Sequence, residues 1–272
     1  MKWQPSPKLA CRKESRDIIS FLAAFQFLTS IPISLKRELN SKQLGNAIIC
    51  FPLVGLVIGG ILAGVNWLLN CILPASVVNV LLIVALVILT GAMHLDGLSD
   101  TCDGIAGHKT IEERWKVMHD SRVGAFGVVG VVLILLVQYI CLNNVPSDKM
   151  TAVLLFMPVI SRWAMVYAIF AYPYARPSGL GKAYKEATDW RHFIIATIIT
   201  LGIAGGLLPL FYVTGFLLVG GILIITTAFA FYLRYKFAGL TGDTYGAINE
   251  VAEVTALLLV IIIVKVGPGL IG

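Results

Sequence analysis

The chain has 272 residues, of which 58% are hydrophobic and only 13% charged, and it carries a formal net charge of +6. Soluble domains are about a quarter charged, so this composition excludes a water-soluble enzyme or binding module and indicates an integral membrane protein. Five cysteines without a CxxC pair give neither a disulfide framework nor a zinc pattern, and the basic residues show no contiguous stripe or aromatic interleaving, so nucleic acid is not an expected partner.

Residues 1–17 are basic and reach the first apolar run without a small-residue cleavage pattern, so they are expected to be retained. Residues 18–35 are apolar but include Gln26, Thr29, Ser30, Pro32 and Ser34. They read as an interfacial or re-entrant helix ending near Pro32, because proline lacks a donor and disfavours helix in the residue before it. Membrane spans are expected at 45–71, 76–95, 124–143, 150–172, 192–212, 214–235 and 252–271, each near the roughly 20 residues a bilayer requires. The expected fold is one all-α polytopic domain over 1–272, with seven transmembrane helices plus the N-terminal interfacial helix. Under this reading eighteen of the 21 Lys and Arg residues fall on one side, the exceptions being Lys149, Arg162 and Lys265. The N-terminus and the long polar loops are therefore expected to be cytoplasmic, where the positive charge also attracts anionic membrane lipid.

The sequence HLDGLSDTCDG places Asp96, Asp100 and Asp103 at spacings of four and three, so on a helix the three carboxylates share one face. Like charges so placed repel and ask for a cation. Magnesium suits the position, since it takes one or two carboxylates, keeps waters and completes its shell with substrate phosphates. Immersion of three aspartates would cost on the order of 8–10 kcal/mol, so they are expected where the second span emerges into the cytoplasm. Asp120 follows in MHDSRVGAFG, where an acid with Ser121 is equally an ordinary helix cap. Gly124, Gly127 and Gly130 read as small-residue helix packing.

A second acidic group, Asp243, Glu250 and Glu253 in GLTGDTYGAINEVAEV, shares a helix face at the start of the last span. Arg162 lies in mid-span and requires a carboxylate or a substrate phosphate. Arg176, Lys182 and Lys185 occupy the Gly/Pro-punctuated loop YPYARPSGLGKAYKE, which suits anion gripping as well as a positive-inside loop. His94 and His119 flank the aspartate motifs and have the intrinsic pKa of a general base, although a lone histidine is more often structural.

These motifs resemble the cobalamin synthase (adenosylcobinamide-GDP ribazoletransferase) family. The resemblance rests on Phe27-Leu28-Thr29 with Ile31-Pro32, FPLVGLVIG from Phe51, TGAMHLDGLSDTCDG from Thr90 and MHDSRVGAFG from Met118. It continues through Ser161-Arg162, YAR from Tyr174 with GLG from Gly179, and TGDTYGAINE from Thr241. His119 stands where the family often has Arg or Lys, and Gln138 where it often has Lys. The resemblance implies a multi-pass enzyme of the prokaryotic cytoplasmic (inner) membrane. Its reaction would be the Mg²⁺-dependent transfer of adenosylcobinamide phosphate from adenosylcobinamide-GDP to α-ribazole or its 5′-phosphate, releasing GMP. On this reading Asp96, Asp100, Asp103 and Asp120 hold metal, and Arg122, Arg162 and Arg176 hold phosphates. Lys182, Asp243, Glu250 and Glu253 face substrate, and the base is open between Asp103 and His94. Substrates are the expected partners, and a homo-oligomer is left open. One rival is a CDP-alcohol phosphatidyltransferase, whose DGxxAR pattern is absent because Asp100 and Thr101 occupy the Ala-Arg positions. The rival of another class is an ion-coupled transporter using buried carboxylates.

Overall fold

A computed structural model describes residues 7–266 except 34, 36–38, 107–109, 121 and 212–214, with side chains further described outside 7–17, 207–217 and 266. Ser121, the basic residues before Ile18 and the last residues of the expected final span lie outside that description. The described chain is helical throughout: α1 (Pro7–Leu28), α2 (Ser41–Ile49), α3 (Phe51–Leu69), α4 (Ala75–Thr90), α5 (Met93–Ile105) and α6 (Ile111–Met118) are followed by α7 (Ala125–Asn144), α8 (Ser147–Ala171), α9 (Leu180–Ala187), α10 (Trp190–Phe211), α11 (Gly215–Phe237) and α12 (Gly242–Val266).

Among the described residues five helices, α3, α7, α8, α11 and α12, are long and apolar enough to cross a membrane, and six crossings result if α4 and α5 count as one broken span. The expected span 45–71 divides at Cys50 into α2 and α3. The expected span 76–95 breaks earlier than anticipated. Gly91 and Ala92 both take left-handed backbone, at φ 61° and 58°, and α5 leaves α4 at 89°. Ser30 closes this corner from outside, donating its Oγ to Ile88 O at 2.5 Å and its amide to Leu89 O at 2.8 Å, so two end carbonyls of α4 are paired. The aspartate motif is thus not the tail of a span. It forms a separate helix of 13 residues, about 20 Å long and too short to cross the bilayer core.

Helix α8 is the centre of the bundle, with 83% of its apolar window buried against 22% for α7 at the lipid-facing edge. It packs on α3 through Gly55 and Gly59, where a Cβ would run into the backbone of Pro158 and Leu154; this small-xxx-small spacing lets the two backbones meet. Helix α12 begins ten residues earlier than the expected last span. Thr241 and Thr244 cap its start reciprocally, with Thr241 N to Thr244 Oγ1 at 2.7 Å and Thr244 N to Thr241 Oγ1 at 3.3 Å.

Candidate active site

The site is built where α5 crosses α12, and two glycines make that crossing close. A Cβ on Gly97 would stand 2.6 Å from Asp243 O, and one on Gly246 3.1 Å from His94 O. Backbone therefore meets backbone, and Asp96 and Asp100 come beside Asp243 at the head of α12. The loop before α9 supplies the opposing charge. It is tied to the α11–α12 turn by Ala175 N to Leu240 O and Leu240 N to Pro173 O, both 2.8 Å. Gly239, at φ 150°, passes so near Ala175 that a side chain would not fit. Arg176, one residue along, consequently reaches Asp243 with Nη2 to Oδ2 at 2.7 Å.

Asp96, Asp243, Arg176, Lys116 and His119 line one cavity of about 560 Å³, with Phe27, Met165, Tyr174, Tyr184 and Tyr245 among its other walls. Helix α6 brings Lys116 and His119 there, because Trp115 Nε1 donates to Phe237 O at 3.2 Å and Arg114 donates to the terminal α5 carbonyls of Gly104 and Ile105, both at 2.9 Å. Asp100 sits just behind, half-buried. Burial first, then the negative charges of Asp243 and Asp96, raise its carboxyl to about 7, against a smaller opposing pull from Arg176. Among the described residues no three His, Cys, Asp or Glu side chains form a closed metal cage. The donor set nevertheless fits a hard divalent ion of the magnesium type, which binds one or two carboxylates and takes its remaining oxygens from water and phosphate. The crowded, incompletely neutralised carboxylates at Asp96 and Asp100 are the chemical reason such an ion would be held there.

The remaining residues singled out in the sequence are placed elsewhere. Asp103, further along the same face of α5, meets α7 instead, where both its oxygens are engaged: Oδ2 accepts from Gly124 N at 2.7 Å and Oδ1 from Gly127 N at 2.8 Å. It caps the N-terminus of α7 from a neighbouring helix. Asp120 pairs with Arg122 at 2.7 Å on the exposed surface, and hydrogen bonds from Arg122 hold its carboxyl down at about 2. Asp103, Asp120 and Arg122 share a separate depression beside α7. Lys182 donates to Pro177 O at 2.8 Å and lies 3.6 Å from Glu186.

His94 is 1% exposed, with neither ring nitrogen hydrogen-bonded. Burial and the nearby Arg162 charge keep it neutral well below its ordinary pKa. Arg162 pairs with Glu253 in the closed interior. Asn249 and Gln138 donate to Glu253 at 3.2 and 3.4 Å, and Gln138 also reaches Glu250 at 3.5 Å. The second acidic group is therefore divided, with Asp243 at the cavity and Glu250 and Glu253 deeper along α12. Lys116, Tyr174, Tyr184 and Tyr245 line the cavity without having been singled out. The signal for Tyr174 and Tyr184 was their place in the loop YPYARPSGLGKAYKE, while Tyr245 carried none beyond its motif.

Residues 20–261 match the cobalamin-5-phosphate synthase family. Curated relatives named adenosylcobinamide-GDP ribazoletransferase include one from Geotalea daltonii, 38% identical over 252 residues that cover 89% of this chain and 97% of the relative. One from Roseiflexus sp. is 38% identical with 86% of each chain covered, and one from Desulforamulus reducens is 36% identical with 89% and 96% covered. No solved structure matches the chain.

Proposed function

This chain belongs to the cobalamin-5-phosphate synthase family, and we propose that its cavity transfers adenosylcobinamide phosphate from adenosylcobinamide-GDP to a hydroxyl of α-ribazole or its 5′-phosphate, releasing GMP. The observation that carries this assignment to a place is the convergence of Asp96, Asp243, Arg176 and Lys116 on one cavity beside Asp100. Attack of a hydroxyl on a pyrophosphate builds negative charge on the attacked and leaving groups, and preorganised cations are the usual means of stabilising it. Asp96 and Asp100 would hold Mg²⁺, which when bound neutralises phosphate charge. Arg176, aimed by its bond to Asp243, and Lys116 grip the phosphates. The apolar walls around Met165 and Tyr245 limit water at the reacting bond.

The same reading places seven crossings, α4 and α10 joining the five long helices, with the N-terminus and the cavity on the cytoplasmic side of a prokaryotic inner membrane. In its support, the segments rich in Lys and Arg meet at one end of the bundle: α6 touches α5 and α11, and α9 touches α2 and α8.

The test is GMP release from adenosylcobinamide-GDP and α-ribazole by detergent-purified protein, in Mg²⁺ or EDTA, for wild type and Asp96→Asn. Metal-dependent release with a corrinoid product, lost in a folded Asp96→Asn, is expected. Folded wild-type protein that forms no product with any divalent metal, but accumulates a solute in proteoliposomes, would overturn the assignment in favour of transport.

A further inference from the structure

Beside the charged cavity lies a second one of different chemistry. This neighbour, about 720 Å³, shares Phe27, Met93, Leu180 and Tyr184 with it and is otherwise walled by residues such as Leu44 and Ala183. The volume falls within the roughly 300–1,000 Å³ of ordinary small-molecule sites. Its lining contains one side-chain amide, Gln26. Leu35 N donates to Gln26 Oε1 at 3.4 Å, which engages the acceptor end of that amide, and among the described residues its NH₂ has no acceptor, so it is available to donate. The shared wall is rigid, because Phe27 and Tyr184 pack with centroids 4.8 Å apart and both rest on Phe51 at 5.8 Å. The cavity lies between α1, whose apolar part Ile18–Leu28 is too short to span, and the short helix α9, so it borders the polar edge of the bundle.

Resting on the transfer reading above, we propose that this apolar vestibule binds the base of the acceptor nucleoside, so that the two substrates enter by different cavities and meet at Phe27 and Tyr184. A transfer between two substrates needs a phosphate-binding part and a place from which the attacking hydroxyl arrives. The vestibule's chemistry selects between the bases involved. Guanine has polar atoms on every edge, and each one buried without a partner costs about 1–3 kcal/mol, so a wall whose described polar side chains are the Gln26 amide and the Tyr184 hydroxyl disfavours it. The dimethylbenzimidazole of α-ribazole is a flat apolar bicycle with a single unsubstituted ring nitrogen, an acceptor for which one Gln26 NH₂ is the matching donor. The corrinoid donor is far too bulky for the vestibule, and among the described residues that line it none is a cation for its diphosphate.

The experiment compares wild type with Ala183→Trp, which fills the vestibule, and Gln26→Leu, which removes the donor and keeps the bulk. Equilibrium dialysis of α-ribazole and of guanosine is run alongside steady-state kinetics and the thermal midpoint. In both variants the KM and dialysis constant for α-ribazole are expected to rise, by at least tenfold in Ala183→Trp and about fivefold in Gln26→Leu, with the KM for adenosylcobinamide-GDP unchanged. Wild type is expected to bind α-ribazole in preference to guanosine. Unchanged acceptor affinity, a rise confined to the donor, or binding that disappears on adding phospholipid overturns the inference, the last because an acyl chain would then be the occupant. Dialysis needs no turnover, so wild type that binds α-ribazole at the vestibule without releasing GMP would refute the transfer reading and leave the site standing.

Discussion

Replacing Asp103 by asparagine separates two roles that its position in the aspartate motif confounds. In the structure its oxygens accept from Gly124 N and Gly127 N at 2.7 and 2.8 Å. These are amides of the first turn of α7, which has no side-chain cap of its own. Asparagine keeps one acceptor and turns an NH₂ toward the other amide, so one charge-assisted hydrogen bond, worth about 1.5–3 kcal/mol, is lost. The interaction of the negative charge with the helix terminus, about 0.3–1 kcal/mol, is lost as well. Asp103→Asn is therefore expected to destabilise the protein by about 2–4 kcal/mol. The assay is thermal unfolding of detergent-purified wild type and variant in EDTA and again in Mg²⁺. A cap predicts the same deficit in both conditions. A variant as stable as wild type in EDTA that falls behind only when Mg²⁺ is added would refute the cap and make Asp103 a metal ligand.

Three further outcomes are expected. Asp96→Asn should abolish GMP release while leaving the thermal midpoint in EDTA within a degree or two of wild type, because Asp96 is exposed and its carboxylate has no bonded partner among the described residues. Arg162→Met should cost about 3–5 kcal/mol by leaving Glu253 charged and unpaired in the interior, whereas Arg162→Met with Glu253→Leu should recover most of the loss; a double variant no more stable than the single one in thermal melts would show that the pair does more than neutralise itself. Gly97→Val should lose both stability and activity, since its side chain would meet Asp243 backbone at 2.6 Å, and a folded, active Gly97→Val would show that α5 and α12 need not cross closely.

Much of the fold was legible because its signals were local and redundant. Long apolar runs mark α7, α8, α10 and α11 within a few residues of their expected bounds, and the polar residues and Pro32 after Phe27 end α1 where a crossing would have continued. The corner at Gly91-Ala92 was hidden for a physical reason. Apolar residues continue on both sides of Thr90-Gly91, and a left-handed alanine is unusual enough that no composition rule anticipates it. The corner is held instead by Ser30, some sixty positions away, and such a partner is not visible in local periodicity. The early start of α12 was half visible, since the spacing of Asp243, Glu250 and Glu253 reads as a helix face, but the apolar run that bounds a span begins only later and the threonine caps that start the helix are seen only in the structure.

The site was legible as a composition and illegible as a partition. Periodicity places Asp96, Asp100 and Asp103 on one side of α5, but a helix face about 100° wide can serve two neighbours at once. Here α12 takes Asp96 and Asp100 while the glycines of α7 take Asp103. The division follows from what each neighbour offers: Gly124 and Gly127 present unpaired amides within reach, whereas α12 presents another carboxylate, Asp243, and leaves charge to be neutralised. The same logic divides the second acidic group, because Glu253 is paired with Arg162 within the bundle and Asp243 with Arg176 at its edge. An arginine in the interior has its charge consumed in holding the fold, and one at the rim of a cavity can exchange a carboxylate for a phosphate. Position along α12, at its first turn or seven to ten residues beyond Asp243, thus decides which acidic residues can serve chemistry and which serve stability.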